Sequence, residues 1–382
     1  MTVLKKVLLA VAGLLVVAIA AFAIALSHTT PCPSAGAAVP AGAGAKAIVY
    51  RCYGSPAVLK LEEVAKPVPG SGEVLVRVHA ASVNPLDWHF MRGLPYLLRM
   101  DAGFGAPKNI RLGVDFAGVV EAVGPGVTHF RAGDEVFGGK RGAFAEYVLV
   151  REQGAIATKP GNVTFPQAAA VPIAGVTALQ GLRDKGRVGP GQKVLVNGAS
   201  GGVGTFAVQI ARSLGAEVTG VCSTRNVELV RSLGAEHVID YTREDFTKGE
   251  VRYDVIFDNV GNHSPLELRR ALTPKGILVV VGAPTGGAFL GGLAVMLKAS
   301  LVSPFVSQRL EPFLADLDAA DLAKLAGLMQ SGQLTAVIDR TYPLTQLPEA
   351  MAYLEAGHAR GKVIISLEED PSGSAPGQGD RP

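Results

Sequence analysis

The residues of this chain best suited to chemistry lie in Lys193–Gly204, KVLVNGASGGVG. Gly201 permits a tight turn and close backbone approach to a pyrophosphate, and Gly204 lets a following helix pack against the preceding strand. Backbone N–H groups at Ser200, Gly201, Gly202 and Val203 would then face phosphate oxygens at the start of that helix. Ala199 stands where the usual G-x-G-x-x-G has its first glycine. The turn alone is therefore a weak signal, and a purely structural glycine turn is the competing reading.

Further along the chain, the sequence bears on which dinucleotide would bind. Units that bind NAD place an Asp or Glu about 20 residues on, to hold the ribose 2′-hydroxyl. Ser223 falls at that point, and Ser223-Thr224-Arg225-Asn226 offers no carboxylate and one fixed cation. A small hydroxyl beside an arginine suits a 2′-phosphate, so Ser223 and Arg225 predict NADPH over NADH. An ordinary polar loop carrying a surface arginine is the alternative.

These residues need a scaffold, and the pattern around them supplies one. Val194–Val196 is an apolar run long enough for a buried strand, Thr205–Leu214 has helical periodicity, and Glu217–Cys222 reads as the next strand. Gln167–Leu182 and Asn226–Leu233 read as helices; Val238–Asp240, Val255–Asp258 and Ile277–Val281 read as short parallel-type strands. Such alternation predicts a doubly wound sheet. Asp321–Gln330 also has a helical pattern. Between Lys46 and Pro166 the texture is β-rich instead: Ala47–Tyr50, Val74–His79, Val114–Gly124 and Phe144–Val150 read as strands.

Length and composition bound the rest. The 382 residues suffice for two domains, and 36 basic against 33 acidic residues give no reason to expect a nucleic-acid partner. The three cysteines, Cys32, Cys52 and Cys222, show no CxxC spacing, cannot build a four-cysteine zinc site and predict no disulfide framework. Val7–Leu26 is a charge-free run of twenty residues preceded by Lys5 and Lys6. At about 1.5 Å per residue it spans roughly the 30 Å hydrocarbon core of a bilayer. Residues 1–45 therefore read as a membrane anchor and a Pro/Ala/Gly linker outside the fold, and residues 370–382 as a disordered tail. A cleaved signal peptide is the competing reading, because Ala21-Phe22-Ala23 and Ala23-Ile24-Ala25 are cleavage-like. The basic end favours an enzyme outside the cytoplasm, but cofactor supply leads us to expect the enzyme domain on the NADPH-containing, cytoplasmic side.

The order of motifs resembles a family, the zinc-independent medium-chain dehydrogenase/reductases of the quinone oxidoreductase branch. The matching stretches include Ala81–Trp88, Gly113–Gly118, Gly133–Val136, Gly142–Tyr147, Gly198–Gly204, Val238–Tyr241 and Asp258–Gly261. Gly357–Lys362, GHARGK, is similar to the reticulon-interacting mitochondrial NADPH oxidoreductases in particular. The resemblance implies an α/β chain with a GroES-like β domain over 46–165, completed by 309–369, and an inserted Rossmann domain over 166–308. It also implies that no zinc is used. Asn84 stands where zinc-dependent relatives have a ligand cysteine, and Gly113-Val114-Asp115 corresponds to their Gly-His-Glu. Without a Lewis acid to activate an alcohol, the acceptor is expected to be a quinone or an α,β-unsaturated carbonyl.

Asn84 is the first candidate for contact with that acceptor, through an amide donating to its oxygen; a helix cap is the other reading. Tyr96 is the second, one residue out of register with the enoyl reductases' tyrosine. The resemblance further implies Thr177 at the nicotinamide end, Tyr241 at the 2′-phosphate, and Asn259 and Gly282 along the ribose and carboxamide. Lys362 is expected at a phosphate or ribose. A homodimer is expected. The alternatives are an enoyl-thioester reductase and a non-catalytic NADPH-binding membrane partner or redox sensor.

Overall fold

A computed structural model describes residues 3–33, 44–282, 288–289 and 291–368. Two sheets carry the architecture. The first runs, from edge to edge, His237–Asp240, Glu217–Cys222, Lys193–Asn197, Tyr253–Asp258, Leu272–Val280 and Arg309–Pro312, all parallel. Its central strand shows why a short apolar run suffices. Val194 and Val196 enter one buried layer and Leu195 the opposite one, so both faces are covered by helices and loops. From Lys193–Asn197 the chain first builds outward to one side, then crosses to Tyr253–Asp258 on the other. The crevice at this reversal, beyond the carboxyl ends of the strands, is where doubly wound sheets bind ligands.

The second sheet has seven strands, ordered Ile338–Pro343, Lys362–Ser366, Glu73–Val83, Asp115–Val123, Glu135–Gly139 and Ile156–Thr158, with Tyr147–Arg151 also pairing onto Glu73–Val83. Lys362–Ser366 lies antiparallel to Glu73–Val83, Val363 opposite Val83. The end of the chain thereby completes the β domain begun near its start. The division drawn at 309 falls inside the first sheet, since Arg309–Pro312 pairs there with Leu272–Val280.

Some elements depart from the sequence pattern. The helix expected over Gln167–Leu182 is broken into Phe165–Ala169 and Pro172–Gln180, because Pro172 has no N–H to continue the first segment. Val74–His79 extends to Glu73–Val83, and Phe144–Val150 contracts to Tyr147–Arg151.

The N-terminal segment requires two corrections. The helix Val3–Ser27 is largely exposed along its length, but its last turn is docked: Leu26 is 1% exposed. Residues 26–33 are thus part of the fold, contrary to the expectation for 1–45. Cys32 and Cys52 form a disulfide, with 5.0 Å between their Cα atoms, contrary to the expectation that three cysteines give none. Docking of the helix end brings together two residues that the sequence sets 20 apart. Residues 34–43 of the expected linker and the tail from 369 lie outside the described residues.

Candidate functional site

The glycine turn follows the strand Lys193–Asn197. A Cβ on Gly204 would stand 2.0 Å from the Gly198 carbonyl oxygen, so the helix Gly202–Ser213 can seat this closely only with glycine there. Gly201 occupies its N-cap in extended conformation, leaving the first N–H groups of the helix without intrahelical partners.

At the end of the strand Glu217–Cys222, Ser200 and Ser223 are joined by a residue the motif did not single out. Asn226 is buried, and its Nδ2 donates to Ser200 Oγ at 2.9 Å and Ser223 Oγ at 3.2 Å. Its Oδ1 is buried with no partner among the described residues. Arg225 donates through Nη2 to the His358 carbonyl at 3.1 Å. The Tyr241 N–H donates to the Cys222 carbonyl at 3.0 Å, and its side chain is 60% exposed. Ser223, Arg225 and Tyr241 thus gather at one strand end. The nearby Asp240 accepts from Thr224 and Thr242, hydrogen bonds that hold its carboxyl below the usual range.

The neighbouring strand ends carry Asn197 and Asp258. Asn197 Nδ2 donates to Asp258 Oδ1 at 2.8 Å, an oxygen that also accepts from the Val260 and Gly261 N–H groups. Among the described residues Asp258 Oδ2 is buried without a partner, and burial pushes this carboxyl above its ordinary value. Asn259 donates its N–H to the Asn197 carbonyl, and a Cβ on Gly282 would lie 2.1 Å from Asn259 backbone atoms. Thr177 is buried in the helix Pro172–Gln180. A glycine cradle, two buried unpartnered oxygens and an arginine along one line of strand ends fit a dinucleotide.

A second cluster closes the cleft from the β domain. Asp115 is fully buried; its Oδ2 accepts from Ser82 Oγ at 2.9 Å and Asn84 Nδ2 at 2.9 Å, and Lys362 Nζ lies 3.4 Å away. Its Oδ1 accepts from the Ile173 N–H at 2.9 Å, in the first turn of Pro172–Gln180, where the helix dipole favours an anion. Lys362 Nζ donates to Asn84 Oδ1 at 2.5 Å. Burial draws the Lys362 ammonium below its ordinary value, against the pull of Asp115 and Asp87. Asp87 accepts from the Asn84 and Gly113 N–H groups, yet burial pushes its carboxyl up to about 7.

Asn84 is therefore both the N-cap of the helix Pro85–Arg92 and a member of this cluster. Its Nδ2 donates to the Ser82 carbonyl and to Asp115, so both amide hydrogens have protein partners. Lys362 presents its stem rather than its amine to the glycine turn: its Cδ would lie 3.1 Å from a Cβ on Gly202, and the Gly361 N–H donates to the Ser200 carbonyl. Tyr96 stands apart from the cluster, its ring against Arg99 and Phe289. Trp88 and Phe90 belong to the core. Ser82 and the carboxylate of Asp115 were not singled out by the sequence reading, although Asp115 lies within a quoted motif.

Comparison with known proteins bears on the family and the fold. Residues 70–161 match the family model described as "Alcohol dehydrogenase GroES-like domain", and residues 233–365 match "Zinc-binding dehydrogenase". The chain is 36% identical over 335 residues to the "2-methylene-furan-3-one reductase" of Solanum lycopersicum, covering 84% of this chain and 78% of that protein. It is 35% identical over 340 residues to the human "NAD(P)H oxidoreductase RTN4IP1, mitochondrial", covering 77% and 82%. Among solved structures, the quinone oxidoreductase from Coxiella burnetii superposes with a TM-score of 0.74 at 31% identity, covering 85% of this chain and all of that one. The residues present do not fit the metal in the second family description. Asn84 and Asp115 face the Lys362 ammonium, and among the described residues no group of three or more His, Cys, Asp or Glu could hold an ion.

Proposed function

The chain belongs to the medium-chain dehydrogenase/reductase family and is an NAD(P)H-dependent oxidoreductase, and from that premise we propose that it uses NADPH to reduce a quinone or an α,β-unsaturated carbonyl without zinc. The observation that carries this reading is the buried Asn84–Asp115–Lys362 cluster, whose lysine stem borders the glycine turn. When bound, the reduced nicotinamide supplies a hydride to the acceptor. Negative charge then grows on the acceptor oxygen, and a preorganised cation in a water-poor site stabilises it. Lys362 is that cation. It has a third N–H beyond those directed at Asn84 and Asp115, which can pass a proton to the oxygen and be restored from solvent. Asn84 acts as a positioning residue, holding Lys362 through Oδ1 while Asp115 fixes the amide.

Ser223, Arg225 and Tyr241 support NADPH over NADH, since a cation and hydroxyls meet where a ribose carboxylate would otherwise stand. The apolar run Leu9–Ser27, long enough to cross a bilayer, supports a membrane anchor. For orientation, Lys5 and Lys6 before the run and the Cys32–Cys52 pair both support the oxidising face rather than the cytoplasm. The strand Arg309–Pro312, paired on one side only among the described residues, supports a homodimer through this edge.

The test is NADPH oxidation across quinones, enones, enoyl thioesters and simple alcohols. Reduction of a quinone or enone is expected; alcohol oxidation with no quinone or enone reduction would reject the proposal.

A further inference from the structure

The foot of the N-terminal helix is joined to the β domain without slack. Arg99 is 3% exposed, and its guanidinium donates to the carbonyls of Leu26 at 3.1 Å, His28 at 2.7 Å and Gly93 at 2.9 Å, and to Thr29 Oγ1 at 3.1 Å. It therefore satisfies carbonyls that a helix end leaves unpaired, with a cation favourably placed at the negative end of the dipole. The same guanidinium lies over the rings of Tyr53 and Tyr96, at 4.4 and 4.7 Å. Thr30 then bonds Gly105 through its N–H at 2.9 Å, and two residues on Cys32 is covalently held to Cys52. Among the described residues, contacts between the helix and the domain start at the helix's own last turn. A free linker of n residues would allow about 5–6 Å × √n of drift; here the described contacts begin at Leu26.

Exposed apolar side chains surround this foot. Met100, next to Arg99, is 54% exposed, and Phe104, next to Gly105, is 52% exposed. Phe289 is 44% exposed and packs edge-on against Tyr96, whose N–H donates to the Ala288 carbonyl at 2.7 Å. Ala288 and Phe289 belong to the chain that follows Gly282, on the cofactor side of the cleft. Met100 and Phe104 on the β domain, and Phe289 across the Tyr96 contact, thus lie beside the point where the apolar helix ends.

We propose that this lip rests in the headgroup–acyl boundary of the bilayer that the helix crosses, and that it admits acceptors from the lipid, so that the preferred substrate is a membrane-dissolved quinone or enone with an apolar tail. The occupant follows from chain continuity. If Leu9–Ser27 spans the bilayer, its last turn lies at the interface, and residues bonded to that turn lie there too. Amphipathic and apolar side chains at that depth are stabilised by partial burial. This inference rests on the reductase and anchor readings above.

The test uses the full chain in phosphatidylcholine–phosphatidylglycerol vesicles. NADPH-dependent reduction of a water-soluble short-chain quinone is compared with that of a quinone carrying a ten-carbon tail, for the wild type and a Met100→Glu/Phe104→Glu variant. The variant is expected to match the wild type within about twofold on the soluble quinone and to fall about tenfold on the tailed one. An equal fall on both, or on neither, would overturn the proposal. Depth is read separately, without activity, in a Phe104→Trp variant with lipids brominated along the acyl chain. Quenching beyond the wild-type Trp88 signal is expected, and none would overturn the lip. A wild type reducing neither quinone, with the Phe104→Trp variant still quenched, would reject the reductase reading and the substrate claim while upholding the lip. Recovery of the chain lacking residues 1–25 would reject the anchor and with it the lip.

Discussion

The two ends of the cleft are built on opposite terms. Along the strand ends proposed to face the dinucleotide, Asn226 Oδ1 and Asp258 Oδ2 are buried without partners among the described residues, and Arg225 donates to a backbone carbonyl. In the cluster on the β-domain side, Ser82, Asn84, Asp115 and Lys362 bond one another, and none of their buried atoms is left over among the described residues. Buried polar groups without partners are costly, so the first end has bonding capacity that a ligand can meet. The second end has its charges already arranged, as electrostatic stabilisation of a reacting oxygen requires. Changes at the open end should therefore register as cofactor affinity, and changes at the closed end as stability and turnover.

The sharpest way to break this distinction is Asp115→Asn. The shape is kept, but the Lys362 ammonium, 3% exposed, loses its counter-charge. Removing one partner of a buried ion pair costs about 3–5 kcal/mol, to be read by urea unfolding. A loss under about 1 kcal/mol would mean that the pair is not charged in the folded protein. Arg225→Ala addresses the open end. It should weaken NADPH by about 1.5–3 kcal/mol, the range of a hydrogen bond to a charged group, and leave NADH unchanged in titrations of both. Equal losses would assign Arg225 to holding its loop through His358.

A smaller effect concerns Asp87, beneath the closed end. Its carboxyl is raised from 3.8 to about 7, first by burial. The folded protein thus holds this proton more tightly than the unfolded chain. The resulting stability is complete below pH 3.8 and is lost as pH rises through about 7. Thermal unfolding from pH 4 to 8 should show the wild type losing ground against Asp87→Asn as pH rises. Parallel curves would show that Asp87 is ionised throughout.

The same contrast explains what the sequence reveals. The open end is local: Ser200–Gly204 is a contiguous motif, and Ser223 and Arg225 follow within one further strand. Asn226 escaped notice because nothing in a polar loop marks which amide turns inward. The closed end joins residues 247 and 278 positions apart, so Asn84 and Lys362 could each be named without their being recognised as partners. Lys362, expected at a phosphate or ribose, directs its amine to Asn84 because the strand carrying it lies antiparallel to Glu73–Val83. Arg99 and the Cys32–Cys52 pair were invisible for a related reason. A lone arginine and two cysteines acquire meaning only once the helix end is docked between them.

The position of the Lys362 amine is also where the central claim is most directly tested. NADPH dissociation constants from fluorescence titration and turnover at saturating NADPH are measured together for wild-type protein and Lys362→Met. With Lys362 serving the acceptor, turnover on a quinone should fall about 100-fold or more, the scale of a lost proton donor. NADPH binding should stay within about threefold, because the stem beside Gly202 is retained. Weakened NADPH binding with turnover preserved at saturation would contradict the account and make Lys362 a cofactor ligand.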